Sequence, residues 1–119
     1  YGQAAAEALT KAGVFAQVKS RLVFGENVQQ TLQFAQSGNA ELALVAMSLA
    51  TMAPDGEWLP IADADHAPIE QSLVVCGADR ERVGRARAFA AYVGSPAGRA
   101  IMRHYGFLLP GETQTASAK

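Results

Sequence analysis

The sequence predicts an α/β domain with a short, mainly parallel sheet flanked by helices. The strongest strand signal is the stretch 41–47, which is almost continuously apolar, as in a strand buried on both faces of a parallel sheet. Helical patterns alternate with short apolar runs in the order α-β-α-β-turn-β-β-α-α, which is typical of this class. The 119 residues are 50% hydrophobic and 18% charged, a composition that supports a folded core.

The first half of the chain is predicted to hold two helices separated by a short strand. Residues 3–12 are rich in strong helix formers, and Gly13 suits the end of a helix. The apolar run 22–24 stands before a glycine turn and predicts a buried strand. A second helix is predicted from Asn27 to Ser37, because Asn27 is a favourable N-cap and a glycine follows Ser37.

The second half is predicted to contain two further strands and two helices. Apolar residues in 58–62 and 69–76 predict the strands, of which the second enters a sheet part-way along. Helical periodicity predicts a helix at 80–93, and the Ser-Pro that opens 95–105 is a favourable start for another. Residues 111–119 are polar and are predicted to be a disordered tail.

Charge and composition exclude several classes of partner. The net charge is −1 and the pI is about 6.1, so the chain lacks the basic surface that nucleic acid or an anionic membrane requires. No apolar run approaches the ~20 residues of a membrane-spanning helix. The single cysteine, Cys76, excludes an intrachain disulfide and any cysteine-rich metal site.

The sequence does not predict an enzyme. It contains no glycine-rich phosphate loop and no Gly-x-Ser-x-Gly nucleophile motif. Its two histidines, His66 and His104, are far apart and lack a second ligand at metal-binding spacing. Asp63 and Asp65 precede His66, but a solvated loop explains this cluster better than a metal site. These features favour a binding module without a catalytic site, cofactor or metal.

The helix predicted at Asn27 is the strongest candidate for a binding site. Gln30 stands three residues after Asn27, where a capping box has its second partner. The first turn of such a helix has backbone N–H groups without intrahelical acceptors, at the positive end of the helix dipole. An anion could bind there. The local pattern taken alone nevertheless favours an ordinary capped helix that binds nothing.

Three stretches of the chain resemble a known family. They are residues 1–9, residues 25–30 and 33–34 leading into 37–46, and residues 95–101 with 105–107. In this order and spacing they resemble the periplasmic molybdate-binding proteins of molybdate ABC transporters. The third stretch is common to many periplasmic binding proteins, whereas the first two are more specific. The likeness extends from residue 1 to about residue 109.

This resemblance implies a type II periplasmic binding fold, in which two α/β lobes hold an oxyanion in the cleft between them. The chain resembles the C-terminal half only. Residues 1–68 would form most of the second lobe, and residues 69–110 would form the return crossover strand and the C-terminal helices of the first lobe. The chain has no initial Met and no signal peptide, which a mature protein and a fragment explain equally.

The function implied is that of the substrate-binding component of a molybdate or tungstate ABC importer. The expected location is the periplasm, and the expected partners are the oxyanion and the membrane permease. Proteins of this family bind the tetrahedral ion with neutral hydrogen-bond donors, largely backbone N–H and hydroxyl groups. No cofactor, metal or buried cationic side chain is therefore expected in the site.

Four residues are candidate ligand contacts by this resemblance. Tyr1 is one, and the backbone N–H of Val28, with Asn27 as its helix cap, is another. Gln71 stands where some members have a tyrosine on the return crossover, and a register shift of one would place Glu70 there. An amide could donate to an oxyanion, whereas the carboxylate of Glu70 would repel it unless it points away.

Other interpretations of the sequence remain open. The chain could bind sulfate or another small oxyanion, or it could be the effector-binding domain of a transcription regulator. The isolated chain is expected to bind molybdate weakly or not at all, because half of a cleft does not exclude water. The last two helices would also lack the sheet that they normally cover, which predicts a homodimer through exposed apolar stripes.

Overall fold

The computed structural model of the protein describes residues 1–112. Six α-helices and two short 3-10 helices make up its regular structure. The α-helices are α1 (Gly2–Lys11), α2 (Phe15–Val18), α3 (Val28–Gln36), α4 (Met47–Ala50), α5 (Arg80–Gly94) and α6 (Pro96–His104). The 3-10 helices are Lys19–Arg21 and Asp63–Asp65. The chain divides into two units, Tyr1–Ile69 and a second unit that begins at Glu70.

The predicted α/β fold class is wrong for this structure, which is mainly helical and has no strand between residues 1 and 112. The strands had been predicted at 22–24, 41–47, 58–62 and 69–76. Strands need neighbours, because their backbone N–H and C=O groups bond across a ladder rather than within the segment. They also need apolar cover, and Leu42 is 73% exposed while Leu59 is 87% exposed. These apolar runs therefore do not form strands.

The helices are held more by local bonds than by a large core. Among the described residues only Ala8 and Ala46 are buried apolar residues. Large apolar side chains remain in solvent, including Phe24 at 81% and Val74 at 79% exposure. Apolar side chains within residues 1–112 are thus mostly half-buried or exposed, and capped helix ends and polar contacts add to the stability that this partial burial provides.

Polar contacts connect α1 to the loop around the second 3-10 helix in the first unit. A carboxylate oxygen of Glu7 accepts a hydrogen bond of 2.7 Å from the backbone N–H of Ala67. This bond lowers the pKa of the Glu7 carboxyl, with a smaller contribution from the side chain of Gln3. Lys11 donates to the Ala64 carbonyl and lies 3.6 Å from a carboxylate oxygen of Asp65. The loop 63–67 is therefore attached to one face of α1.

The second unit is a corner between α5 and α6. The Asp79 side chain caps α5 by accepting from the Arg82 N–H at 2.8 Å, and the Ser95 side chain caps α6 by accepting from the Gly98 N–H at 3.2 Å. A proline occupies the first turn of α6, as predicted. The corner is tight, because a Cβ on Gly98 would lie 2.1 Å from the Tyr92 carbonyl oxygen. Only glycine fits there.

A turn at residues 109–112 returns the chain to α6. Pro110 and Gly111, the latter with φ of +86°, occupy its central positions, and the Glu112 N–H donates to the Leu109 carbonyl at 2.9 Å. Proline followed by a residue with positive φ is the signature of a type II turn. Gly111 and Glu112 belong to the predicted disordered tail, and its remaining residues, 113–119, lie outside the described structure.

The Glu112 carboxylate lies against two arginines of α6. One oxygen accepts from Arg99 Nη1 at 3.0 Å and from Arg103 Nη2 at 2.8 Å and Nε at 3.2 Å. The other oxygen accepts from the Leu109 N–H at 3.1 Å. These bonds, that of Arg103 first, lower the pKa of the Glu112 carboxyl to about 2. The Glu112 side chain is only 15% exposed.

None of the helices found between residues 1 and 112 combines the length and the apolar character that crossing a membrane requires.

Substitution of Gly98 tests the tight corner. We expect Gly98→Ala to destabilise the protein by about 1–3 kcal/mol, because the new methyl group must displace backbone atoms. Gly84→Ala is the matched control: Gly84 lies within α5 with open space at its Cβ position, so alanine should stabilise by up to ~1 kcal/mol. Urea unfolding followed by circular dichroism measures both. Equal effects of the two substitutions would contradict the tight corner.

Acid should weaken the second unit through Glu112. Its folded pKa is about 2, below the usual value of 4.5, so its stabilising contribution is complete above pH 4.5 and is lost as the pH falls towards 2. Glu112→Gln should lower stability at pH 7 and flatten the loss between pH 4.5 and 2. Urea midpoints across this range, with Glu41→Gln in an exposed loop as control, provide the measurement. The same pH slope in Glu112→Gln and the unsubstituted protein would contradict this role.

Candidate functional site

Two side chains, those of Asn27 and Gln30, accept hydrogen bonds from backbone N–H groups at the start of α3. Asn27 has an extended backbone, with φ −153° and ψ 169°, and its side-chain oxygen accepts from the Gln30 N–H at 2.9 Å. The Gln30 side-chain oxygen accepts in return from the Glu26 N–H at 2.6 Å. The predicted cap at Asn27 is confirmed. The reciprocal bond reaches Glu26, one residue before the donor of a standard capping box.

The preceding loop folds closely over this helix start. A Cβ on Gly25 would lie 2.6 Å from the Thr31 hydroxyl oxygen and 2.8 Å from the Thr31 backbone nitrogen. The Asn27 carbonyl accepts from both of these Thr31 groups at 3.1 Å. Gly25 therefore allows the loop to pack closely against Thr31, where a larger residue would clash. The side chains of Asn27, Gln30 and Thr31 all form hydrogen bonds at this helix start.

This arrangement leaves a neutral hydrogen-bond donor, the Val28 N–H, at the N-terminus of α3. The Val28 N–H precedes the first intrahelical bond and donates to no acceptor within residues 1–112. Val28 itself is half-buried, whereas Asn27 is exposed. No acidic residue lies in the first turn, and Glu26, just before the cap, is the nearest carboxylate in sequence. The geometry suits an anion that approaches along the helix axis.

Tyr1 and Gln71, the other predicted contacts, are not part of α3. Tyr1 is the N-cap residue of α1, its carbonyl accepts from the Ala5 N–H at 2.9 Å, and 40% of it is exposed. In the described part of the chain no Cα atom of α1 lies within 8 Å of a Cα atom of α3. Gln71 is an exposed residue of the second unit, in a stretch without regular structure. A shared site for these residues and Val28 stays a prediction.

An open depression lies elsewhere on the first unit and includes none of the predicted contacts. Its lining residues are Gln3, Ala6, Glu7, Thr10, Lys11 and Phe15, all on α1 or at the start of α2. Glu7 and Lys11 already contact the loop 63–67, and they carry charges of opposite sign. Among residues 1–112 no group of three side chains is placed to hold a metal ion.

Sequence reasoning missed the cluster of Arg99, Arg103 and Glu112. Two signals could have revealed it. The arginines stand four residues apart on one face of a predicted helix, and Leu-Pro-Gly-Glu at 109–112 contains the dipeptide of a type II turn. That turn is what returns the carboxylate to α6.

Comparison with known proteins assigns the family. The family described as bacterial extracellular solute-binding protein matches residues 1–108. The chain belongs to this family. Its members bind solutes and are not enzymes, so family membership confirms the expectation that this protein has no catalytic activity.

The relatives confirm the resemblance to molybdate-binding proteins. Molybdate-binding protein ModA of Rhodobacter capsulatus is 31% identical over 108 residues, which is 91% of this chain and 42% of the relative. ModA of Azotobacter vinelandii is 33% identical over 113 residues, which is 90% of the chain and 43% of the relative. ModA of Haemophilus influenzae is 31% identical over 108 residues, with 89% and 41% covered. The chain thus spans about two fifths of their length. No solved structure matches it.

Proposed function

We propose that the chain is part of the substrate-binding component of a bacterial ABC importer for molybdate or tungstate. Family membership supports the binding of a solute outside the cytoplasm. Three relatives at 31%, 33% and 31% identity are named molybdate-binding proteins, which supports a tetrahedral oxyanion as that solute. The proposed location is the periplasm, and the proposed partner is the transporter's membrane permease.

The observation that carries this proposal is the Val28 N–H at the start of α3. It is held by a neutral cap at the positive end of a nine-residue helix, with no acceptor among the residues described. A dianion bound by such donors forms charge-assisted hydrogen bonds, each contributing roughly 1.5–3 kcal/mol. Backbone dipoles supply this attraction without a buried lysine or arginine.

We propose the remaining contacts and the lobe assignment from the resemblance. Tyr1 and Gln71 are the further contacts, with Asn27 positioning Val28. Residues 1–68 would belong to one lobe, and residues 69–110 to the return crossover and the helices of the other. The division of the chain after Ile69 supports a boundary at this place. The isolated chain would then supply part of a site and bind its oxyanion weakly.

Replacement of Val28 by proline tests the donor directly. Proline removes the backbone N–H but is favoured at the first position of a helix, and the extended Asn27 backbone accepts a following proline. We expect Val28→Pro to weaken molybdate binding at least about tenfold, as expected for the loss of one charge-assisted bond. Val28→Ala is the matched control, because it shortens the side chain but keeps the donor.

Amide NMR titration with molybdate, tungstate, sulfate and phosphate at equal ionic strength measures these affinities in the millimolar range. The proposal requires the Val28 amide to shift with molybdate and tungstate. If sulfate or phosphate alone shifts it, the ligand is another oxyanion. Equal molybdate affinity of Val28→Pro and Val28→Ala would show that the Val28 N–H is not a ligand contact. Sub-micromolar binding by the unsubstituted chain would contradict the proposal that the chain supplies only part of the site.

We also propose that the chain forms a homodimer through apolar side chains of α5 and α6. Phe89 is 60% exposed and Ile101 is 48% exposed, whereas Val83 and Met102 are half-buried. Exposed apolar area of this kind drives association.

Sedimentation velocity at increasing concentration tests self-association. We expect a dimer that Phe89→Ser weakens, because it removes apolar area from the contact. Arg87→Gln, at an exposed position of the same helix, should leave the dimer unchanged. A monomer at every concentration would contradict the proposal.

A further inference from the structure

We propose that Arg99, Arg103 and the Leu109 N–H form a second oxyanion-binding site, which the Glu112 carboxylate occupies within the same chain. Its ligand class is a small carboxylate or a tetrahedral oxyanion. Such an ion would bind to these donors when Glu112 is replaced by a residue without a carboxylate, or when its carboxylate is protonated. This inference is independent of the proposed transport function.

The donors converge as a binding site requires. Three guanidinium N–H groups reach one oxygen of Glu112: Arg103 Nη2 at 2.8 Å, Arg99 Nη1 at 3.0 Å and Arg103 Nε at 3.2 Å. The Leu109 N–H reaches the other oxygen at 3.1 Å. An acetate ion offers the same two oxygens, and sulfate or phosphate offers two of four with similar spacing.

The cradle formed by Arg99, Arg103 and the Leu109 N–H does not depend on Glu112 alone for its shape. Arg99 Nε donates to the Gly94 carbonyl at 3.1 Å, which orients that guanidinium from the end of α5. Arg99 and Arg103 lie four residues apart, so α6 places them on one face. The turn between Leu109 and Glu112 is closed by its own backbone bond. Removal of the carboxylate would therefore leave several donors near their present positions.

The charge of this cradle distinguishes it from the start of α3. Two guanidinium groups without Glu112 would attract any small anion, whereas the Val28 N–H carries no formal charge. Arg99 is 34% exposed and Arg103 is 58% exposed, so solvent ions can reach the pair. Glu112 neutralises one of these two charges and fills the position of the ion. It thereby keeps the cradle closed to free oxyanions.

Chemical rescue tests the inference. Glu112→Ala should lower the thermal midpoint, and sodium acetate should raise it again more than sodium chloride does at equal ionic strength. The unsubstituted protein should respond equally to both salts. The Glu112→Ala protein should also bind sulfate at least about tenfold more tightly than the unsubstituted protein, because the competing carboxylate is gone. Additional replacement of Arg103 by glutamine should abolish both effects.

Glu112→Gln keeps the test decisive if Glu112→Ala does not fold. The introduced amide preserves the size of the side chain but carries no charge, so sulfate should displace it and shift the Leu109 amide resonance. Refolding of Glu112→Ala by acetate alone would also support the cradle. No gain in sulfate binding by folded Glu112→Gln would overturn it, as would a gain that persists without Arg103. Val28→Pro should not change any of these results.

Discussion

Satisfaction of backbone N–H groups at helix ends is the constraint on which most of this structure depends. Only two apolar residues, Ala8 and Ala46, are buried in the described part of the chain. Three of the helices begin instead at a polar side chain that accepts from the first turn, at Asn27, Asp79 and Ser95. Each such cap contributes typically about 1 kcal/mol, which is a substantial share when core burial is small.

Charged side chains extend this local order to the loops. Glu7 receives the Ala67 N–H and attaches the loop 63–67 to α1, while Glu112 receives two arginines and attaches the turn 109–112 to α6. In both cases a carboxylate accepts a hydrogen bond from a backbone N–H group of a loop, at Ala67 and at Leu109. The two proposed oxyanion sites therefore differ in their donors: the start of α3 has the neutral Val28 N–H, whereas α6 has a pair of guanidinium groups that Glu112 occupies.

Family membership gives the exposed apolar runs a physical interpretation. Phe24, Leu59 and Val74 are far more exposed than such side chains usually are in a globular protein. The chain spans about two fifths of the length of its relatives. Exposed apolar side chains of this kind are incompletely covered within residues 1–112, and such surface promotes association. The proposed oxyanion site has the same property, since Val28 provides only one of the several donors that enclose an ion.

The sequence by itself determined the features that depend on neighbouring residues. It located most of the helices between residues 1 and 112 and the Asn27 cap, because capping chemistry acts within four residues. It failed for the strands, since the apolar run 41–47 needs partner strands that local pattern cannot supply. Only the tertiary structure decided that Glu112 returns to Arg99 and Arg103, because these contacts span thirteen and nine residues and depend on the direction of a turn.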